Sequence, residues 1–150
     1  MAKRKKPEVW RHLKPRDFMG TSEVADMLGV ERPRIGRWLT KEAQGKAKRL
    51  PDPVARLKMS PVFLREHIKL LKKGVPPEEI EVTPLDLVGV REAAEDVLDF
   101  QADRIGAWRR EGVMPKPITR LRAGPLWWRP DIEALKPQRE RRRRRVAAPS

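Results

Sequence analysis

The chain has 150 residues, with 35 Lys plus Arg against 21 Asp plus Glu and no cysteine. That length admits one ordinary domain or two very small ones and leaves no room for a large enzyme core. The missing thiols exclude disulfides, cysteine zinc sites and thiol catalysis and fit a reducing interior. A net charge of +14 makes a polyanion, nucleic acid by default, the expected partner. The longest uncharged runs fall far short of the roughly 20 residues that span a bilayer. A soluble, cytoplasmic, nucleoid-associated protein is therefore expected, with no membrane partner and no cofactor.

Taken in chain order, charge divides the sequence into five parts. Residues 1–17 form a basic N-terminal arm (+5). Residues 18–73 (+7) read as a first small domain. In it Thr21 is an N-cap candidate for a helix to Leu28, and Val24, Ala25 and Leu28 share one face. Gly29 stops that helix. Glu31 can cap a second one to about Thr40, with Pro33 in its first turn. Ile35, Trp38 and Leu39 form its apolar side and leave Arg32, Arg34, Arg37 and Lys41 on the others. Residues 53–57 and 62–64 are strand candidates joined by Lys58-Met59-Ser60-Pro61, and a closing helix runs from about Arg65 to Lys73.

Residues 74–86 (−4) contain Pro76, Pro77, Glu78, Glu79, Glu81 and Pro84, too many prolines for a continuous helix, and read as an acidic interdomain linker. Residues 87–135, with no net charge, repeat the plan as a second domain. Its helices are expected at 91–98, 102–111 and 130–135, and its strands at 118–121 and 126–128. Residues 136–150 (+6) read as an Arg-rich disordered tail.

The two domains share a residue skeleton. Gly20, Glu23 and Ala25 recur after 69 positions as Gly89, Glu92 and Ala94, and Ile35, Gly36 and Trp38 recur after 70 as Ile105, Gly106 and Trp108. Pro51, Pro53, Arg56, Leu57, Pro61, Arg65 and Ile68 recur after 64 as Pro115, Pro117, Arg120, Leu121, Pro125, Arg129 and Ile132. These offsets place one gained residue in the turn between the first two helices and six lost residues before the paired prolines. Trp38 and Trp108, each three residues after an isoleucine, read as packed anchors. Trp127 and Trp128 point to opposite faces of one strand, so one is core and the other lies on the surface or against a partner.

The fold class expected is mainly α with small β-hairpin wings, in two tandem domains. Thr21-Ser22-Glu23-Val24-Ala25 with Leu28-Gly29-Val30, Ile35-Gly36-Arg37-Trp38, Pro51-Asp52-Pro53 and Gly124-Pro125-Leu126-Trp127-Trp128-Arg129-Pro130-Asp131-Ile132 resemble the winged helix-turn-helix domains of the MerR superfamily and of phage and plasmid excisionases. Nothing after residue 135 matches the long dimerisation helix or effector domain of MerR regulators, so the excisionase-like branch fits better. The resemblance implies that each second helix enters a DNA major groove while the hairpin touches the minor groove or phosphates. On that basis Arg32, Arg34, Arg37 and Lys41 become groove residues, with Arg56 and Lys58 on the wing. Their counterparts are Gln101, Arg104, Arg109 and Arg110 on the second helix of the repeat and Lys116, Arg120 and Arg122 on its wing. Arg141, Arg142, Arg143, Arg144 and Arg145 are expected to hold phosphates without sequence choice.

Arginine pairs with guanine O6 and N7, whereas adenine reading needs Asn or Gln, so guanine-containing half-sites about one helical turn apart, or a multiple of it, are expected. His12 and His67 have no serine or carboxylate at a recognisable spacing, and catalysis is not expected. The expected function is sequence-specific binding of double-stranded DNA, as a small bacterial or phage transcriptional regulator or an excisionase-type architectural factor. A recombinase, RNA polymerase or a second copy would be the further partners. The alternative is a phage DNA-packaging protein of small-terminase type, working within an oligomer.

Overall fold

The computed structural model describes residues 12–137 and 139–141. One plan appears twice. In the first unit, β1 (Phe18–Met19) leads into α1 (Thr21–Leu28) and α2 (Arg32–Ala43); the hairpin β2 (Ala55–Arg56) and β3 (Pro61–Leu64) follows, then α3 (Arg65–Lys72). In the second, β4 (Leu87–Val88) leads into a π-helix (Glu92–Leu98) and α4 (Asp103–Arg110), then the hairpin β5 (Thr119–Leu121) and β6 (Gly124–Trp128) and the short α5 (Arg129–Glu133). Helices thus combine with two three-stranded antiparallel sheets, ordered β1-β3-β2 and β4-β6-β5. The third strand of each sheet escapes a sequence reading because two residues show no alternation. Phe18 pairs with Leu64 and Met19 with Phe63, while Leu87 pairs with Trp128 and Val88 with Trp127.

Several local expectations are corrected. Gly20, not Thr21, is the N-cap of α1. The Gly20 N–H donates to Glu23 Oε1 at 3.0 Å, and the Thr21 N–H donates to the Ser60 hydroxyl at 3.3 Å. Two of the four orphan donors at the helix start are therefore satisfied by Glu23 and Ser60, without a side chain at the cap. The extra residue of the second unit lies within the helix, not in the turn. Val30 donates to the Ala25 carbonyl at 3.0 Å, and the equivalent Phe100 donates to the Ala94 carbonyl at 3.0 Å across one more residue. A wider helical turn absorbs that insertion, which is the usual origin of π-helical geometry. The left-handed position that ends each helix is Gly29 (φ 68°) in one unit and Asp99 (φ 53°) in the other.

Core residues follow the repeat. Met19, Val24, Ala25, Ile35, Leu50, Phe63 and Ile68 form the first core. Their equivalents Val88, Ala93, Ala94, Ile105, Met114, Trp127 and Ile132 lie in the second, joined by Val97, Leu98 and Trp108. Trp127 is the core member of the Trp pair, and its indole N–H donates to the Pro115 carbonyl at 2.9 Å. Trp128 instead meets Phe18 of the first unit edge-on at 5.9 Å.

That contact belongs to a third cluster, which joins the units. It contains Phe18, Val54, Val62, Leu64, Leu85, Leu87 and Leu126, with Leu13, Leu57, Val82, Ile118, Leu121 and Trp128 packed on it. Nearly all fall into equivalent pairs: Phe18 with Leu87, Val54 with Ile118, Val62 with Leu126, Leu64 with Trp128, and Leu57 with Leu121. Leu13 and Val82 also stand 69 positions apart, as do Pro15 and Pro84, and Asp17 and Asp86. The repeat therefore begins before residues 18 and 87, and the end of the acidic segment belongs to the second unit. The rest of that segment is not a free spacer. Ile80 and Leu85 are buried, and the Leu85 N–H donates to the Val54 carbonyl at 2.8 Å. Nor is the start of the C-terminal tail detached: the Arg139 guanidinium lies 5.6 Å from the Phe100 ring and donates to the Asp99 carbonyl.

Two measurements check this organisation. Leu126→Ala removes a side chain that is 1% exposed from the shared cluster and should cost about 2–5 kcal/mol. Urea unfolding followed by tryptophan fluorescence should show one transition for both units, in the parent and in the variant, whereas two separated transitions would deny the coupling. His67 on α3 is 6% exposed, and its Nδ1 has no hydrogen-bond partner among the described residues. Burial pushes its imidazole below the ordinary range, only partly opposed by Glu66. Folding thus favours the neutral ring: its contribution is complete above the unfolded value of about 6.5 and is lost as pH falls toward the lower folded value. Stability should fall on acidification through that window, and His67→Leu should flatten the slope.

Candidate nucleic-acid interface

The second helix of each unit presents the basic face. On α2, Ile35 is fully buried while Arg32, Arg34, Arg37 and Lys41 are exposed. None of these four has an acidic partner within salt-bridge distance among the described residues. Two cations of the loop after α2 are engaged: Lys48 pairs with Asp52 and Glu42, and the Arg49 guanidinium lies 5.9 Å from the Trp38 ring. Lys48 is therefore neutralised beside the helix, while the cations of the outer face are left uncompensated among the described residues.

An open groove of about 480 Å³ runs along that face, lined by Pro33, Gly36, Arg37, Thr40, Lys41, Gln44 and Lys46. Thr40, Gln44 and Lys46 were not singled out from the sequence, where α2 was expected to end near Thr40. The helix continues to Ala43 and stops at Gly45, whose φ is +80°. A glycine just past a helix end was the available signal. Gln44 brings an amide to a face that was expected to hold none.

On α4, Ile105 and Trp108 are buried and Arg104 and Arg110 are exposed. A smaller groove of about 380 Å³ is lined by Gly106, Arg109, Arg110 and Arg120. Arg120 on β5 is thus brought beside Arg109 and Arg110 of the helix. Gln101 and Lys116 are exposed outside this lining, and Arg56 is exposed on β2 without lining the groove of α2. Arg141 is exposed, and Arg142, Arg143, Arg144 and Arg145 lie outside the described residues.

Lys58 and Arg122, at the hairpin tips, are not the free wing cations expected. Each tip is docked on the first helix of the other unit. The Lys58 N–H donates to Glu92 Oε2 at 2.5 Å, and its ammonium pairs with Glu95 at 2.7 Å and Asp96 at 3.2 Å. The hydrogen bonds to Glu95 and then Asp96 raise the Lys58 pKa above its ordinary value, and the bond from Lys58 holds the Glu95 carboxyl below its own. In the opposite sense, the Arg122 N–H donates to Glu23 Oε2 at 3.0 Å and its guanidinium lies 3.5 Å from Asp26. Part of the second unit's neutrality is thus explained, because Glu92, Glu95 and Asp96 face the first unit's hairpin.

Gly36 and Gly106 occupy the same position in the two helices. A mid-helix glycine costs about 1 kcal/mol relative to alanine. Neither has a positive φ, a Cβ on Gly36 would meet nothing within 4 Å, and one on Gly106 would meet only Arg110 Nη1 at 3.5 Å. Neither backbone geometry nor internal packing calls for the missing side chain. What it provides is a bare stretch of helix open to close approach from outside.

Among the described residues, no group of three or more His, Cys, Asp or Glu could hold a metal ion, and no helix is long and apolar enough to cross a membrane. No protein-family model, curated protein or solved structure matches the chain. Gly36→Ala should stabilise the protein by about 0.5–1 kcal/mol, measured as a shift in the urea midpoint. A loss of stability would mean that the glycine has an internal packing role.

Proposed function

We propose that the chain is a sequence-specific double-stranded DNA-binding protein made of two tandem winged helix-turn-helix units of MerR and excisionase-like kind. It would act as a small regulator or as an architectural factor for recombination. The observation that carries the proposal is the outer face of α2, where Arg32, Arg34, Arg37 and Lys41 stand exposed without acidic partners beside the bare surface at Gly36. Cations left uncompensated on a rigid helix suit a polyanion. A helix about 10–12 Å across matches the roughly 12 Å major groove, and arginine at such positions reads guanine edges in bidentate fashion.

The proposal departs from the usual winged plan in one respect. With Lys58 and Arg122 held by the opposite unit, sequence reading falls to the two helices and to the strand arginines Arg56 and Arg120. Basic residues in the terminal segments would add phosphate contacts common to all sequences.

The test is selection of bound fragments from random duplex DNA at about 0.15 M salt, followed by titration of variants. Arg34→Ala and Arg37→Ala should each weaken the selected site by about 1–3 kcal/mol and relax choice at one position. Equal losses on selected and scrambled duplexes would reduce these residues to phosphate contacts. Failure to enrich any sequence would remove sequence-specific binding altogether.

A further inference from the structure

We infer that one chain acts as an internal dimer and reads an inverted, imperfectly symmetric pair of half-sites. The inference rests on the DNA-binding reading above and adds the symmetry and stoichiometry of the partner. Two units fused in tandem can be related by translation or by rotation, and their sequence does not decide which. Contacts do. If one copy uses its hairpin tip on the other's first helix, and the other does the same in return, a single operation exchanges the copies and its order is two. Such reciprocity defines an isologous interface.

Here the reciprocity is atomic. The Lys58 amide donates to Glu92 and the Arg122 amide to Glu23, where Lys58 and Arg122 are equivalent, as are Glu23 and Glu92. Leu121 Cδ1 lies 3.7 Å from where a Cβ on Gly20 would stand, and Leu57 Cδ1 lies 3.6 Å from the same point on Gly89. The shared cluster, built of equivalent pairs, is what a pseudo-two-fold axis leaves at its centre. Surfaces related by a two-fold match DNA whose half-sites are inverted, because operator palindromy mirrors protein symmetry. Direct repeats would need units related by translation. With the isologous surface already closed inside one chain, no second copy is required.

The same equivalence states which bases should be symmetric. At an offset of 70, Arg34 meets Arg104, and both are exposed. Arg37 meets Ala107, Thr40 meets Arg110 and Lys41 meets Glu111. A guanine read by Arg34 in one half-site should therefore recur at the dyad-related position, read by Arg104, while flanking positions differ. The half under α2 should dominate affinity, since Arg32, Arg37 and Lys41 stand where the second unit has Ala102, Ala107 and Glu111, against the gains of Arg109 for Leu39 and Arg110 for Thr40.

The experiment uses the full chain. Fragments selected from random duplex DNA are sequenced, and the best site is rebuilt with its halves inverted, in direct repeat, and inverted with about five extra base pairs, half a helical turn. The inverted site should bind one chain by native mass spectrometry. The other two arrangements should lose about ten-fold or more. Arg34→Ala and Arg104→Ala should each relax guanine at one of two dyad-related positions. Preference for direct repeats, a lone half-site, or two chains on the inverted pair would overturn the inference while leaving DNA binding intact. No enrichment of any sequence would instead bring down the DNA-binding reading beneath it.

Discussion

Glu23 and Glu92 hold the molecule together through a division of labour between two oxygens. One oxygen of each accepts from the glycine that begins its own helix, Gly20 at 3.0 Å or Gly89 at 3.2 Å; the other accepts from the hairpin amide of the opposite unit. Glu92 is 7% exposed, and a carboxylate so placed is tolerable only because charge-assisted bonds from backbone N–H groups replace its water. Its place in the first turn of a helix adds the favourable end of the helix dipole. Glutamine would fit the volume but would turn an NH2 toward one N–H donor. Glycine suits the same arrangement, since a Cβ at Gly20 or Gly89 would stand 3.0 or 3.1 Å from the carboxylate oxygen and push it from its bonded position. The repeated Gly and Glu of the two halves are thus one device, which fixes helix start, hairpin tip and neighbour together.

From that device follows the distribution of charge. Further acids on the first helices, Asp26 in one unit and Glu95 and Asp96 in the other, meet the basic tips of the opposite hairpins. These exposed pairs add little energy individually, but they remove both signs from the outer surface at the clasp. The cations Arg32, Arg34, Arg37 and Lys41 of α2 have no such counterparts among the described residues. The outer face of α2 is thus one patch where positive charge is left uncompensated, and such a patch steers an anionic partner.

The repeat, the two-helix unit with its hairpin and a few core members, Val24, Ala25, Ile35 and Trp108, were legible in the sequence, because apolar spacing and turn residues act over a few positions; Trp38, read as a packed anchor, is only half-buried. What was not legible depends on distance. The bonds from Lys58 to Glu92 and from Arg122 to Glu23 link residues 34 and 99 positions apart, and no local pattern marks them. Without them the hairpin tips look like free basic wings and the acidic segment like a spacer. The inserted residue illustrates a different limit: an offset that changes from 69 to 70 shows that a residue was gained but not where. Only the Phe100 to Ala94 bond puts it inside a helix, against the ordinary expectation that turns absorb length changes.

Comparison of the two halves separates internal from external constraint. Positions that serve the cores or the clasp keep their chemistry for reasons visible within the fold: Ile35 and Ile105 are buried alike, Glu23 and Glu92 bond alike, and Leu57 and Leu121 meet opposite glycines alike. Exposed positions on the outer helices should be free to diverge, and several do, with Arg37 opposite Ala107 and Lys41 opposite Glu111. Two exposed or half-exposed positions do not diverge. Gly36 and Gly106 keep a residue that weakens a helix, and Arg34 and Arg104 keep a cation with no acidic partner among the described residues. Nothing among the described residues accounts for either identity. A surface that stays bare at one point and cationic two residues earlier, in both halves, fits a constraint imposed from outside by an anionic ligand that comes close to the helix.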